Sequence, residues 1–210
     1  IDVIYRDVEG DLHLWTDDNT APKCANVETI LNDTYTTVKA SFIEMGKRPF
    51  LTAPSAAYGS DLTRNSNSLR KKLYQFSARP VFDDFQKATF STYSKIPLPV
   101  GYYGSDKDTD STNNNFITVT VETGDENVSK IEIFMRYNIS SSWSDFVLVA
   151  SLDKELLGIP DNTNYGYLFY NDDVYPPVED LERSIRLFDW VPQLATTQVL
   201  ANGNIPVYVG

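Results

Sequence analysis

The chain has 210 residues, 41% of them apolar, and a formal net charge of −11. That length holds one large domain or two small ones with a real core, and the acidic balance excludes a duplex binder, which needs a basic footprint to displace counterions. One cysteine, Cys24, and one histidine, His13, exclude an internal disulfide and a Cys/His zinc set.

Thirteen Tyr and eleven Phe suit pleated, half-buried surfaces. No apolar run approaches the roughly 20 residues that cross a bilayer, and the first residues are too polar for a secretory signal. The one basic cluster, Arg70-Lys71-Lys72, reads as a solvated strand end.

Residues 1–6 read as a strand. So does Asp11-Leu12-His13-Leu14-Trp15-Thr16, where Leu12, Leu14 and Thr16 alternate with His13 and Trp15. Residues 17–22 make a turn ending on Pro22. Residues 26–45 are ambiguous. Asn26 with Glu28 suits a helix start, and Val27, Ile30, Leu31 and Tyr35 have helical spacing, yet 34–37 is rich in β-formers. Residues 48–68 are loop-like, and a loop of that length is usually functional or lies against a partner.

Leu73 to Phe82 predicts a strand, Asp83-Asp84 a turn, and residues 90–98 a return strand. Pro80 and Pro97 point to edge positions or bulges, because proline cannot donate to a ladder. A polar connection covers 102–115. Three runs of alternating chemistry follow, over 117–122, 130–137 and 146–152, and period two with β-branched residues marks half-buried strands. Residues 153–157 suggest one helical turn and 165–170 a last strand. About six strands between Leu69 and Tyr170 fit an immunoglobulin-like or fibronectin-type-III-like sandwich. The rest, to Gly210, reads as an exit segment with strands of its own, one at 205–208. The chain begins inside one apparent strand and stops just after another, so a piece of a longer polypeptide is expected.

Candidate chemistry is sparse. Asp106, Asp108 and Asp110 match the first, third and fifth positions of a calcium loop. Ser111 replaces the sharp-turn glycine and Ile117 the bidentate glutamate, so no EF-hand is expected and at most a loose calcium site remains. The acid pairs Asp17-Asp18, Asp83-Asp84 and Asp172-Asp173 all fall at turns, where Asp is favoured anyway. His13 has no Ser or Cys beside it in a nucleophile motif, and Cys24 reads as a small buried residue. Asn32, Asn127 and Asn138 open glycosylation sequons.

Six segments carry a resemblance. Gly10 to Lys23 is a strand, a Trp-Thr-Asp turn, a proline and a basic residue. Tyr74 to Asp84 is a strand ending in paired acids, and 91–98 is its return. Lys130 to Tyr137 and Leu168-Phe169-Tyr170-Asn171-Asp172 follow, then Arg186-Leu187-Phe188-Asp189-Trp190-Val191-Pro192. In this order they resemble the large tail muzzle (nozzle) proteins of crAss-like phages of gut bacteria. The resemblance implies a structural virion protein in a multi-copy ring at the far end of a short tail, beside other tail proteins. DNA and packaged proteins leave through that conduit without specific binding. No catalytic residue or cofactor carries over, and the matching N-terminal element implies a propeller-like region.

The expectation is therefore a mostly-β chain. Residues 1–68 form a β-rich N-terminal region with a long loop, 69–172 a fibronectin-III-like sandwich, and 173–210 an exit segment returning to the first region. The role is assembly and conduit rather than catalysis. The rival is a carbohydrate- or host-surface-binding β module. Its sugar-stacking candidates are Trp143, Tyr102 and Tyr103, with Trp15 and Trp190 as further aromatics. An enzyme would need two carboxylates converging in a cleft.

Overall fold

A computed structural model describes residues 1–7, 10–32, 37–99, 112–139, 142–178, 191–203 and 205–209. The protein is mostly β, with several antiparallel sheets. It divides into two compact units. Unit 1 comprises Ile1–Arg48, Val81–Thr89 and Ile185–Gly210, and unit 2 comprises Pro49–Pro80 and Phe90–Ser184. The chain thus passes between them four times.

Unit 1 opens with an antiparallel meander of β1 (Asp2–Ile4), β2 (Leu12–Trp15) and β3 (Lys23–Asn26). Asp17 shapes the turn after β2: its Oδ1 accepts from the backbone N–H groups of Asn19 and Thr20. The ambiguous stretch after Asn26 resolves as helix. Asn26 Oδ1 accepts from Thr29 N at 3.1 Å, capping α1 (Val27–Asn32). A single 3-10 turn follows at Ala40–Phe42. Leu14, Cys24, Phe42, Val81, Phe82 and Ala195 make the small core.

The exit segment supplies a hairpin, which the sequence places only at its second strand. Strand β11 (Thr197–Ala201) pairs antiparallel with β12 (Ile205–Val209). Asn202 and Gly203 both take positive φ, 52° and 79°, as tight hairpin turns require. A propeller blade has four strands. Among the described residues unit 1 has a three-stranded meander and a separate hairpin.

Unit 2 holds two sheets. In the first, β6 (Phe116–Glu122) lies between β4 (Ser55–Gly59) and β10 (Asn164–Phe169), antiparallel to both. Its alternation reads as expected: Ile117, Val119 and Val121 are buried, while Thr118, Thr120 and Glu122 are half-exposed. Strand β4 corrects the loop-like reading of 48–68. In its sequence Ser-Ala-Ala-Tyr-Gly only Tyr58 favours a strand, and pairing with β6 imposes the conformation. Gly59 permits the pairing, since a Cβ there would sit 2.2 Å from Phe116 Cζ. The sequence reading starts the sandwich at Leu69; β4 draws the segment from Pro49 into the same unit.

The second sheet is built on β7 (Val128–Ile139). It pairs with β5 (Leu73–Phe82), with β8 (Ser142–Trp143) and with β9 (Val147–Asp153). Strand β9 has one extra residue, Val149, between the register partners Leu148 and Ala150, a bulge that bends the ladder. After β9, Asp153 caps the single turn α2 (Lys154–Leu157) by accepting from Leu156 N, and Gly158 closes it at φ 62°.

The two sheets meet through aromatic rings. Phe169 of β10 lies edge-on to Tyr74 and Phe76 of β5, with centroids at 5.6 and 5.3 Å. Ile131, Ile133 and Met135 of β7 are buried with them.

The expected return strand at 90–98 is not a strand. Ser91 N and Ser94 N donate to the carbonyls of Ala78 and Phe76. In turn Ser91 Oγ accepts from Ala78 N, and Ser94 Oγ from Phe76 N. Three residues of this segment thus span what two residues of β5 span. That mismatch forbids a period-two ladder, so hydroxyls stand in for backbone carbonyls. The segment is a strap along the edge of β5, where Pro80 lies, and edge strands are the usual place for proline.

Replacing Phe169, fully buried among three aromatic rings, with alanine is expected to lower stability by about 3–5 kcal/mol. Replacing its exposed neighbour Leu168 the same way should change it by at most about 0.5 kcal/mol. Urea denaturation of the two variants measures the difference.

Candidate functional site

The face of β5 and β7 turned away from the sandwich core is also largely buried, because the strap lies over it. Polar and charged groups sit there under aromatic cover. Arg79 Nε donates to Glu132 Oε2 at 2.6 Å, with both side chains under 10% exposed. Phe90 stacks on Phe134 at 4.2 Å, and the Arg79 guanidinium lies 5.4 and 5.1 Å from their ring centres. A charge pair so enclosed holds the sheet in register, because either partner alone would be a buried uncompensated charge. It is nearly closed to solvent, with the two side chains 4% and 8% exposed.

Further along the same face lies Arg136, a half-buried cation. Its Nε and Nη2 both donate to Gln75 Oε1, at 3.0 and 2.6 Å. The Gln75 amide is fixed in turn, since its Nε2 donates to the Ser94 carbonyl of the strap at 3.1 Å. The guanidinium carbon lies 4.7 to 5.2 Å from the ring centres of Trp143, Tyr93 and Phe146. Phe146 is buried, whereas Tyr93 is 42% and Trp143 36% exposed. On the opposite face of β7, Lys72 Nζ sits 4.8 Å from the Tyr137 ring centre. Strand β8 places Trp143 opposite Asn138 of β7. The Ser144 hydroxyl accepts from Tyr137 N, and Ser144 N donates to the Tyr137 carbonyl, which closes the hairpin.

Of the expected surface aromatics, Trp143 belongs to this cluster. Trp15 is half-buried on β2, paired with Lys23. Tyr102, Tyr103 and Trp190 lie outside the described residues, as do the calcium candidates Asp106, Asp108 and Asp110. Among the described residues no three His, Cys, Asp or Glu side chains converge to hold a metal. Asn127 is buried, so its sequon is closed to glycosylation in the folded chain.

Sequence reasoning missed Arg136, Tyr93 and Gln75. One signal was present: Glu132, Phe134 and Arg136 share a parity on β7, a mixture unlike a plain solvated face. The basic run also turns out to be a turn entering β5, with Lys71 at φ 60°.

A second polar cluster lies in unit 1. Lys47 Nζ is 3.1 Å from Asp84 Oδ2, with both side chains at most 4% exposed. Asp84 also accepts from Gln86 N and Gln86 Nε2, and that amide reaches Cys24 Sγ at 3.7 Å. Asp84 therefore does more than shape its turn: its carboxylate organises a buried network. Burial, with a smaller contribution from the Asp84 charge, pushes the Cys24 thiol up to about 11. At neutral pH it is a protonated packing group rather than a nucleophile. His13, on β2 between Val3 and Ala25, is not part of this cluster.

Two outcomes are expected. Arg79→Met or Glu132→Leu alone should cost about 3–5 kcal/mol, while the double variant recovers most of that loss, measured as a denaturation cycle. The Cys24 thiol should react with Ellman's reagent at pH 8 at least about tenfold more slowly in the native protein than in urea.

Comparison with known protein families and with curated proteins gives no match to this chain.

Proposed function

We propose that this chain is an architectural component of a short phage tail, of the muzzle type found in crAss-like phages. Copies of it would stand in a ring beside other tail proteins and form part of the distal conduit. Its work would be mechanical, with no catalytic step.

The interleaving of the two units carries this reading. A chain that crosses four times between units ties each one to segments from both sides of the other. Such a body transmits load without depending on a single linker, which suits a part through which a genome is driven. The segments that carry the resemblance support it by their positions. Gly10 to Lys23 spans β2 and its turn, Tyr74 to Asp84 is β5 and its turn, and Lys130 to Tyr137 forms the middle of β7.

Contacts with further protein are supported by the hairpin of unit 1. Val199, Ile205, Val207 and Val209 are each about half exposed on one face of it, and apolar faces of this kind mark interaction surfaces. The net charge of −11 suits a wall along which DNA slides without being held.

A second reading, a carbohydrate- or host-surface-binding module, is favoured by one observation: the half-exposed rings of Tyr93 and Trp143 flank a fixed guanidinium.

Antibodies raised against the chain should decorate the tail tips of purified particles of the encoding phage in electron micrographs. Label confined to free protein in the lysate, with bare particles, would overturn the structural reading.

A further inference from the structure

We propose that Arg136, Trp143 and Tyr93 form a binding site for a carboxylate-bearing sugar, such as a hexuronic acid unit of an acidic polysaccharide. This deepens the second reading above and rests on it.

Hydrogen-bond geometry comes first. A guanidinium offers two forked edges. The edge formed by Nε and Nη2 is taken by Gln75 Oε1. The other edge, Nη1 with the second Nη2 hydrogen, has no hydrogen-bond partner among the described residues. Its two parallel N–H groups match the two oxygens of a carboxylate. The fork is also pre-set. Gln75 holds it from below, Ser94 fixes the Gln75 amide, and three rings surround the guanidinium. Little side-chain freedom remains to be lost on binding.

Charge is the second ground. Among the described residues Arg64, Arg79 and Arg48 each have a carboxylate partner. Arg136 has none within ion-pair distance among the described residues, in a chain that carries eleven more acids than bases. An acid in the ligand would supply the missing partner.

Shape supplies the third. Tyr93 and Trp143 are partly exposed beside the fork. Each offers a π face, and the C–H face of a pyranose ring stacks on such a surface. A uronic acid presents that face and a carboxylate on one rigid ring. A polynucleotide would instead ask for a row of cations tracking successive phosphates, and the cluster here offers one, Arg136.

The test uses the whole chain. Oligogalacturonides are titrated by calorimetry, against neutral malto-oligosaccharides and a single-stranded oligonucleotide at matched length. Saturable binding of the oligogalacturonide alone, weakening with added salt, is the expected result. Arg136→Lys keeps the charge and loses the fork, and should weaken binding at least about tenfold. Trp143→Ala, at the surface, should do the same, while Arg48→Lys in unit 1 should leave binding unchanged. Circular dichroism shows that each variant is folded, and the Trp143 variant stands alone if Arg136→Lys does not fold.

Equal binding of neutral and acidic sugars would overturn this proposal and leave the second reading standing. Binding of no sugar would overturn both. Preference for the oligonucleotide, or oligogalacturonide binding that ignores both substitutions, would overturn the site as assigned.

Discussion

Strand β7 is dry on both faces through its middle, and unit 2 is arranged around that constraint. Ile131, Ile133 and Met135 are buried on one side, and Glu132 and Phe134 on the other. Two covers are therefore needed. The opposing sheet with Phe169 supplies the first. The strap with Phe90 supplies the second. A carboxylate on the second face then demands a cation, and Arg79 provides it from the adjacent strand. The strap cannot leave without exposing a charge pair to a half-covered aromatic face, so the irregular segment is as fixed as the strands beside it.

This explains which features were legible in the sequence. Strands whose alternation matches one wet and one dry face, such as β6, announce themselves through Thr and Val at period two. Strand β5 was legible at both its ends because propensity and turn chemistry agree there. Strand β4 was not, because its small residues carry no preference and the pairing that makes it a strand comes from β6, more than fifty residues away. The strap failed for the opposite reason: Phe90, Thr92 and Ser94 look strand-like, but the serine hydroxyls occupy the ladder.

The Arg136 cluster shows the same limit at the level of a site. Its members come from the strap, β5, β7, β8 and the segment before β9. No short motif could unite them. Trp143 stood out as a rare residue, and Tyr93 was one tyrosine among thirteen. Among the described residues Arg136 has no carboxylate within ion-pair distance, and that is visible only in three dimensions. Cys24 and Asp84 make the complementary case: the bland sequence reading of the thiol stands, and the turn aspartate proves to be the hub of a buried network.

The interleaved path also sets a timetable. Unit 2 is complete once residue 184 has left the ribosome, whereas unit 1 waits for residues 185–210. Until then the early meander lacks the segment that carries the fully buried Ala195. The piece in the middle of the chain can therefore mature first, and the piece built from distant segments is completed last. Until its last segment emerges, the less complete unit keeps aliphatic side chains uncovered, a state that invites association with other chains.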